Sequence, residues 1–413
     1  MAMEEPWGGL SWRNTFTALR WPNYRLWFLG QLISLLGTWM QSTAQGYLAF
    51  ELTRSPGFLG TVAFATGVPS WIFMLYAGVI ADRVSRRKML IVAQLGMMAV
   101  SVVLAVLAFT GLIRAWHLVG LGFALGVANA FDAPARQAIV SDLVDHEDLG
   151  NAIALNSIMF NTATALGPAV GGLVYAWIGP GWCFAINALS FLGVLVALLL
   201  MRLPPHRAVQ LRASALADLR QGLRYVARDR TILALVVIVA VVTVFGMSYV
   251  ALLPAWAVKI LHGDARTNGL LQSARGVGAL GCALIIASLG RFRFKGRLLT
   301  LGTFLLPVSL LLFAVVRSVP LALLCLVGVG AALILCFTLA NTLVQTLADD
   351  DLRGRVMGVY SFTFFGFLPV GGLYAGAMAE QLGEPWTVAL GAALVFAAAA
   401  TLRLAYPRLR RIE

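Results

Sequence analysis

Charge is what this sequence has least of: only 12% of its 413 residues are Asp, Glu, Lys or Arg, and just 18 are acids. Soluble domains carry about 25% charge, so a water-soluble fold around one buried core is excluded. Cysteine is scarce too. Cys183, Cys282, Cys325 and Cys336 sit singly in or beside apolar runs, without the close spacing of a zinc site or redox pair. No metal, cofactor or disulfide is expected. A nucleotide-binding loop, a catalytic triad and any cluster that assembles a nucleophile are also missing, which argues against an enzyme and against a nucleotide-driven pump. The segment through Arg25 mixes acids, bases and tryptophans ahead of a long apolar run, unlike a short cleavable signal peptide, so the first apolar run is expected to stay as an anchor.

Apolar residues fill the space: 60% of the chain is hydrophobic and mean hydropathy is +0.85. An all-α membrane protein with many crossings follows, its first partner the lipid bilayer. A helix needs about 20 apolar residues to cross, and such runs fall near 26–50, 57–81, 89–111, 116–140, 149–178 and 182–201, then 232–258, 268–290, 298–316, 321–346, 355–380 and 386–406. Leu149 to Met201 carries no charge, but Gly179-Pro180-Gly181 must break it into two crossings. Twelve transmembrane helices put both termini on one face, and the Lys and Arg residues concentrate in the loops of that face, which makes it cytoplasmic. The net charge of +13 would suggest nucleic acid in a soluble chain. Here it reads as positive-inside loop charge, and no nucleic acid partner is expected.

Residues 202–230 open with Pro204-Pro205 and continue as a basic stretch in which Leu216, Leu219, Leu223 and Val226 recur at helical spacing. An amphipathic helix at the membrane surface is predicted, linking an N-terminal half, 1–201, to a C-terminal half, 231–413. The halves echo each other. Gly167-Pro168-Ala169-Val170-Gly171-Gly172-Leu173 matches Leu368-Pro369-Val370-Gly371-Gly372-Leu373, and Gly60 to Lys88 aligns with Gly269 to Arg297, with Arg291 where Asp82 would be.

Polar side chains are costly in hydrocarbon, so a polar stripe at helical spacing faces protein or a wet cavity. The first run has Gln31, Ser34, Thr38, Gln41 and Gln45 on one face; the fourth has Asn129, Asp132 and Arg136; the tenth has Thr338, Asn341 and Gln345. Interhelical hydrogen bonding explains such stripes as well as substrate contact does. The seventh run offers Phe245, Tyr249 and Trp256, suited to a bulky ligand or to core packing. Arg275 has no acid within one helical turn. It needs an acidic partner such as Glu51 or Asp264, or else attracts an anionic ligand.

Between the second and third runs, Gly78-Val79-Ile80-Ala81-Asp82-Arg83-Val84-Ser85-Arg86-Arg87-Lys88 leaves hydrocarbon, carries one acid and four bases, and re-enters at once. This turn resembles the loop pattern Gly-x-x-x-Asp-Arg-x-Gly-Arg-Arg of the major facilitator superfamily, with Ser85 in place of the second glycine. Gly167-Pro168-x-x-Gly171-Gly172 resembles the kinked fifth-helix motif of that superfamily's antiporters, although Asn161 and Ala163 stand where upstream glycines would be. Leu19-Arg20-Trp21-Pro22-Asn23-Tyr24-Arg25, Gly37-Thr38-Trp39-Met40-Gln41, Asp132-x-Pro134-Ala135-Arg136-Gln137 and Asn151-Ala152-x-Ala154-Leu155-Asn156-Ser157 look like its enterobactin exporter and secretion effector branch.

The resemblance implies the major facilitator fold: two pseudo-symmetric six-helix bundles whose first, fourth, seventh and tenth helices line a central cavity. It implies export of a small organic molecule, siderophore-, drug- or metabolite-like, from a bacterial inner membrane in exchange for protons, by a monomer. Asp132 and Arg136 are then the candidates for proton coupling, since burial and a neighbouring guanidinium pull on a carboxyl in opposite directions. Gly78, Asp82, Arg83, Arg86 and Arg87 form a candidate gate, with the basic loop expected to face Asp349-Asp350-Asp351, and Arg291 to Arg297 expected to face Asp142 to Asp148. Movement of a lipid or lysophospholipid, or a non-transporting receptor or scaffold, are the alternatives.

Overall fold

The structure, a computed structural model, describes residues 16–73, 76, 84–202, 215–289 and 294–406. Among them there are helices and no strands. In chain order these are α1 (Pro22–Thr53), α2 (Pro56–Gly67), α3 (Arg86–Phe109), α4 (Ala115–Ile139), α5 (Leu149–Ile178) and α6 (Pro180–Leu200). The second half has α7 (Ala215–Arg228) and α8 (Arg230–Ile260). It continues with α9 (Ala265–Ser288), α10 (Lys295–Val315), α11 (Val319–Leu347), α12 (Arg353–Leu382) and α13 (Glu384–Ala405). Ten of these are long and apolar enough to cross a membrane. The chain is a multi-span membrane protein. The first helix is not among the ten: its 32 residues reach far enough at about 1.5 Å each, but its glutamines lower its hydropathy.

The breaks fall where backbone chemistry requires them. Gly179 has φ of +91° and Gly383 of +81°, a left-handed region open to glycine at little cost. Pro180 and Pro385 follow at the first turn of α6 and α13, where a missing N–H costs nothing. The α1–α2 turn is as tight, with Arg54 left-handed and Ser55 Oγ accepting from Phe58 N at 3.1 Å. Trp116, Trp177, Trp182 and Trp386 are exposed at helix ends that share one end of the molecule, the position of an interfacial aromatic belt.

The predicted surface helix forms as α7, but it packs on protein. Val226 is buried and Leu219 partly so, Asp218 pairs with Arg355 at 2.7 Å, and Tyr225 Oη accepts from Asp349 N at 3.3 Å. Leu223 stays exposed. The side chain of Leu216 lies outside the described residues.

Helices of the first and second halves of the chain meet along two seams, α5 against α9 and α2 against α12. Both are built on glycine. A Cβ on Gly60 would lie 2.7 Å from Gly372 O and 2.9 Å from Gly376 Cα, and one on Gly172 would lie 2.5 Å from Ala265 O and 3.0 Å from Gly269 Cα. Gly60 and Gly269 are the positions that align in the internal repeat, and each meets the other half's Gly-Gly motif. The repeat is therefore visible as equivalent contacts. Both seams lie toward the end that carries the α1–α2 and α12–α13 turns. The fully buried residues of α9 run from Ala265 to Gly278; beyond them Cys282 and Ile286 still pack, partly buried, on the core of the second half.

Candidate functional site

The first-helix stripe is buried except at Thr38, which is partly exposed, and works largely inside the first half. Asn187 of α6 donates to Gln41 Oε1 at 2.8 Å, Gln45 Nε2 donates to Leu118 O of α4 at 3.3 Å, and Thr38 returns its hydroxyl to Ser34 O at 2.8 Å. Gln31 and Ser34 are buried as well. Gln41 and Gln45 thus knit helices together. Asn187, which also lies 3.4 Å from Ser101, is the hub that sequence reasoning missed; its signal was a lone amide in an uncharged run.

The eleventh helix carries the more accessible stripe. Thr338 and Gln345 are exposed and Asn341 is partly so, with Gln345 Nε2 donating to Asn341 Oδ1 at 2.5 Å. In the fourth helix Asn129 is exposed, while Asp132 sinks to 2% exposure. Its Oδ1 accepts from Gln94 Nε2 of α3 at 2.8 Å and its Oδ2 lies 3.3 Å from Arg136 Nε. Asp132, Arg136 and the unforeseen Gln94 form one buried unit. Arg136 keeps 24% of its side chain exposed, so the unit has one accessible end.

The seventh-run aromatics sit on α8, which is not regular: Val242–Gly246 and Trp256–Ile260 are π-helical and Pro254 lies between them. Phe245 is half-buried against Tyr374, whereas Tyr249 and Trp256 are fully buried beside Phe313. Arg275 has neither expected acid. Glu51 bonds the Tyr175 hydroxyl, and Asp264 caps α9 through Thr267 N at 3.2 Å. The guanidinium lies instead over the Trp39 ring, 6.0 Å from its centroid.

Contacts between the halves run from the end that carries the α1–α2 and α12–α13 turns to about the middle of α12. Glu380 Oε2 accepts from Ser55 Oγ and Gly57 N, both at 2.9 Å, and Lys259 lies over the Phe50 ring at 5.6 Å. Ala169 N, next to Pro168, donates to Ser273 Oγ at 2.8 Å. Trp71 Nε1 reaches Gly366 O at 2.5 Å, and Thr43 Oγ1 sits 3.2 Å from Gln272 Oε1. The antiporter-like motif is part of this packing: Gly167 and Gly171 press on Trp39 and Met40 of α1, while Gly172 presses on α9.

At the other end the described members of the expected cross-half charge pairs find partners in their own half. Arg86 pairs with Asp142 at 2.8 Å, Arg87 donates to Leu199 O at 2.9 Å, and Asp350 pairs with Arg353 at 2.5 Å, each within its own half. Gly78, Asp82, Arg83, Arg291 and Arg293 lie outside the described residues.

The Arg20-Trp21-Pro22-Asn23-Tyr24 run proves to be a clamp. Arg20 Nη2 and Trp21 Nε1 both hold Asp148 Oδ2, at 2.7 and 2.8 Å, Tyr24 Oη donates to Ala152 O at 2.8 Å, and Asn23 Nδ2 donates to Arg202 O at 2.9 Å. A hydrogen bond to a charged group contributes about 1.5 to 3 kcal/mol. Trp21→Phe is therefore expected to destabilise the protein by about that amount, read as a lower unfolding temperature in detergent, and a double-mutant cycle with Asp148→Asn should show the two losses are not additive.

Residues 13–413 match the family model described as transmembrane secretion effector. The staphyloferrin A transporter of Staphylococcus aureus is 23% identical, with 86% of this chain and 89% of that protein covered. The enterobactin exporter of Shigella flexneri is 28% identical over 82% of this chain and 81% of its own. Among solved structures, that of the peptide transporter POT superposes with a TM-score of 0.77 at 13% identity, covering 95% of this chain and 96% of that one.

Proposed function

This chain belongs to the transmembrane secretion effector family of major facilitator transporters of small molecules, and from that membership we propose that it exports a small organic molecule across a bacterial inner membrane in exchange for protons. The observation that carries the reading is the pair of glycine seams. They join the two halves tightly at one end, while toward the other α9 has no fully buried residue beyond Gly278. Alternating access needs such a pair, since closing one end must open the other.

Twelve crossings are part of the proposal: the ten apolar helices, α1, and the crossing that α2 begins. With both termini cytoplasmic by the distribution of bases, the sealed end is the outer one and the parted end faces the cytoplasm. Residues 1–201 and 231–413 then move as six-helix bundles joined by 202–230, within a monomer. Asn129, Thr338, Asn341, Gln345, Phe245 and Thr38 face the substrate. Gln31, Ser34, Gln41 and Gln45 hold the wall behind it, with Tyr249 deeper in the site. Asp132 and Arg136 carry the proton linkage. Gly78, Asp82, Arg83, Arg86 and Arg87 act as the cytoplasmic latch once the ends meet, where surface pairs worth about 0.2 to 1 kcal/mol each bias the closed state without locking it.

The test is uptake into everted membrane vesicles of labelled siderophore and drug probes. Concentrative uptake that collapses when nigericin dissipates the pH gradient is expected. Uptake indifferent to the gradient would remove proton exchange, and no uptake of any probe would remove export.

A further inference from the structure

We infer that Arg275, with the buried Tyr249 hydroxyl level with it on α8, forms a subsite for an oxyanion (carboxylate, sulfonate or phosphate) borne by the transported molecule. This rests on the export reading only in taking the ligand to be cargo. Arg275 is 9% exposed and its Nε has no hydrogen-bond partner. A guanidinium stays charged in any protein environment, so burial cannot be relieved by losing the proton. An ionic partner from the protein would be the usual remedy, yet Glu51 and Asp264 are engaged elsewhere. Among the described residues the side chain has only the face of Trp39.

The donors opposite are equally unpaid. Tyr249 Oη and Trp256 Nε1, on α8, are buried without partners. The α8–α9 hairpin turns around His262, and counting outward from that residue puts Tyr249 level with Arg275, within electrostatic reach of it. Trp256 lies two turns further toward the sealed end, flat on Phe313 at 4.3 Å. An indole N–H is only ever a donor, a guanidinium likewise, and a phenol hydroxyl donates readily. A row of buried donors with no acid among them is unfavourable alone and complementary to a group that offers several lone pairs and a negative charge.

A second observation points the same way. Both π-helical turns of α8 bracket Tyr249, and such turns are frequent where a helix serves a ligand. Arg275 is also placed for access. It is among the last fully buried residues of α9, and the positions beyond Gly278 are partly buried or exposed, so it is approached from that end. Aromatic rings stand at both groups, Trp39 under the guanidinium and Phe313 beside Tyr249, which favours an aromatic acid over a small inorganic anion.

The experiment measures binding of 1-naphthoate, 1-naphthalenesulfonate and 1-naphthyl phosphate, each against neutral 1-naphthamide, to the full chain in nanodiscs. Wild type is expected to prefer at least one anion over the amide by tenfold or more. Arg275→Gln should erase that preference and leave amide binding unchanged, Arg275→Lys should keep part of it, and Tyr249→Phe should weaken anion binding severalfold. The unfolding temperature of Arg275→Gln should be equal to or above wild type, because a buried unpaired charge has been removed; a marked fall would mean the arginine is a strut and would overturn the subsite. So would a wild type without anion preference, or a Gln variant that keeps it. A protein that exports neutral probes but shows no anion preference loses this inference and retains its export function.

Discussion

Asp132→Asn is expected to reduce pH-driven uphill export by at least tenfold and to erase its pH dependence, while ligand binding and downhill exchange survive. The carboxylate is buried, accepts from Gln94 on one oxygen and pairs with Arg136 on the other. Its charge is thus tied to a guanidinium whose other side is accessible. A ligand or a change of access that draws Arg136 away would favour proton uptake at Asp132, and the return of Arg136 would expel it, which links proton and cargo thermodynamically. Asparagine keeps the shape and still accepts from Gln94, so only the charge is lost. Full pH-driven export by the variant would remove Asp132 from the coupling. A static strut predicts another pattern: loss of uphill and downhill flux together, with lower stability, both rescued by the double substitution Asp132→Asn with Arg136→Gln.

The second large effect is steric. Gly269→Val should abolish transport and leave the outer end open, because even a Cβ there would run into the Pro168 carbonyl and sit 3.0 Å from Gly172 Cα. Backbone cannot give way as a flexible side chain does, and overpacking typically costs about 1 to 3 kcal/mol. A conformational equilibrium that spends comparable time in each state is displaced about tenfold by every 1.4 kcal/mol. The check is thiol labelling from the outer face, with Cys introduced at Thr43: labelling should be faster in the Gly269→Val background, and unchanged labelling with intact export would show that the seam carries no load. Gly60→Val, at the aligned position of the other seam, should behave alike.

Much of this was legible in one dimension, and the misses are instructive. The spacing of Thr338, Asn341 and Gln345 correctly announced one face of a helix, yet the same kind of stripe in α1 serves mostly to bind neighbouring helices. Periodicity reports a shared face and nothing about what faces it. Arg275 was legible as an anomaly, but the choice between an acid partner and none was open until Glu51 and Asp264 were seen to be occupied.

Hydrocarbon leaves a chain few options. Every backbone group must be satisfied within its own helix, so the length of each apolar run, and the Gly and Pro residues between runs, settled the helices, their breaks at Gly179 and Gly383, and the equivalence of Gly60 with Gly269. That information is local, and composition carries it. What buried polar groups find as partners is not local: Gln94 reaches Asp132 across 38 residues of chain and Thr43 approaches Gln272 across 229. Only the packing of the helices decided that, among the described residues, Asp132 is paired and Arg275 is not, because the angle and register between distant helices depend on side-chain contacts along their whole length.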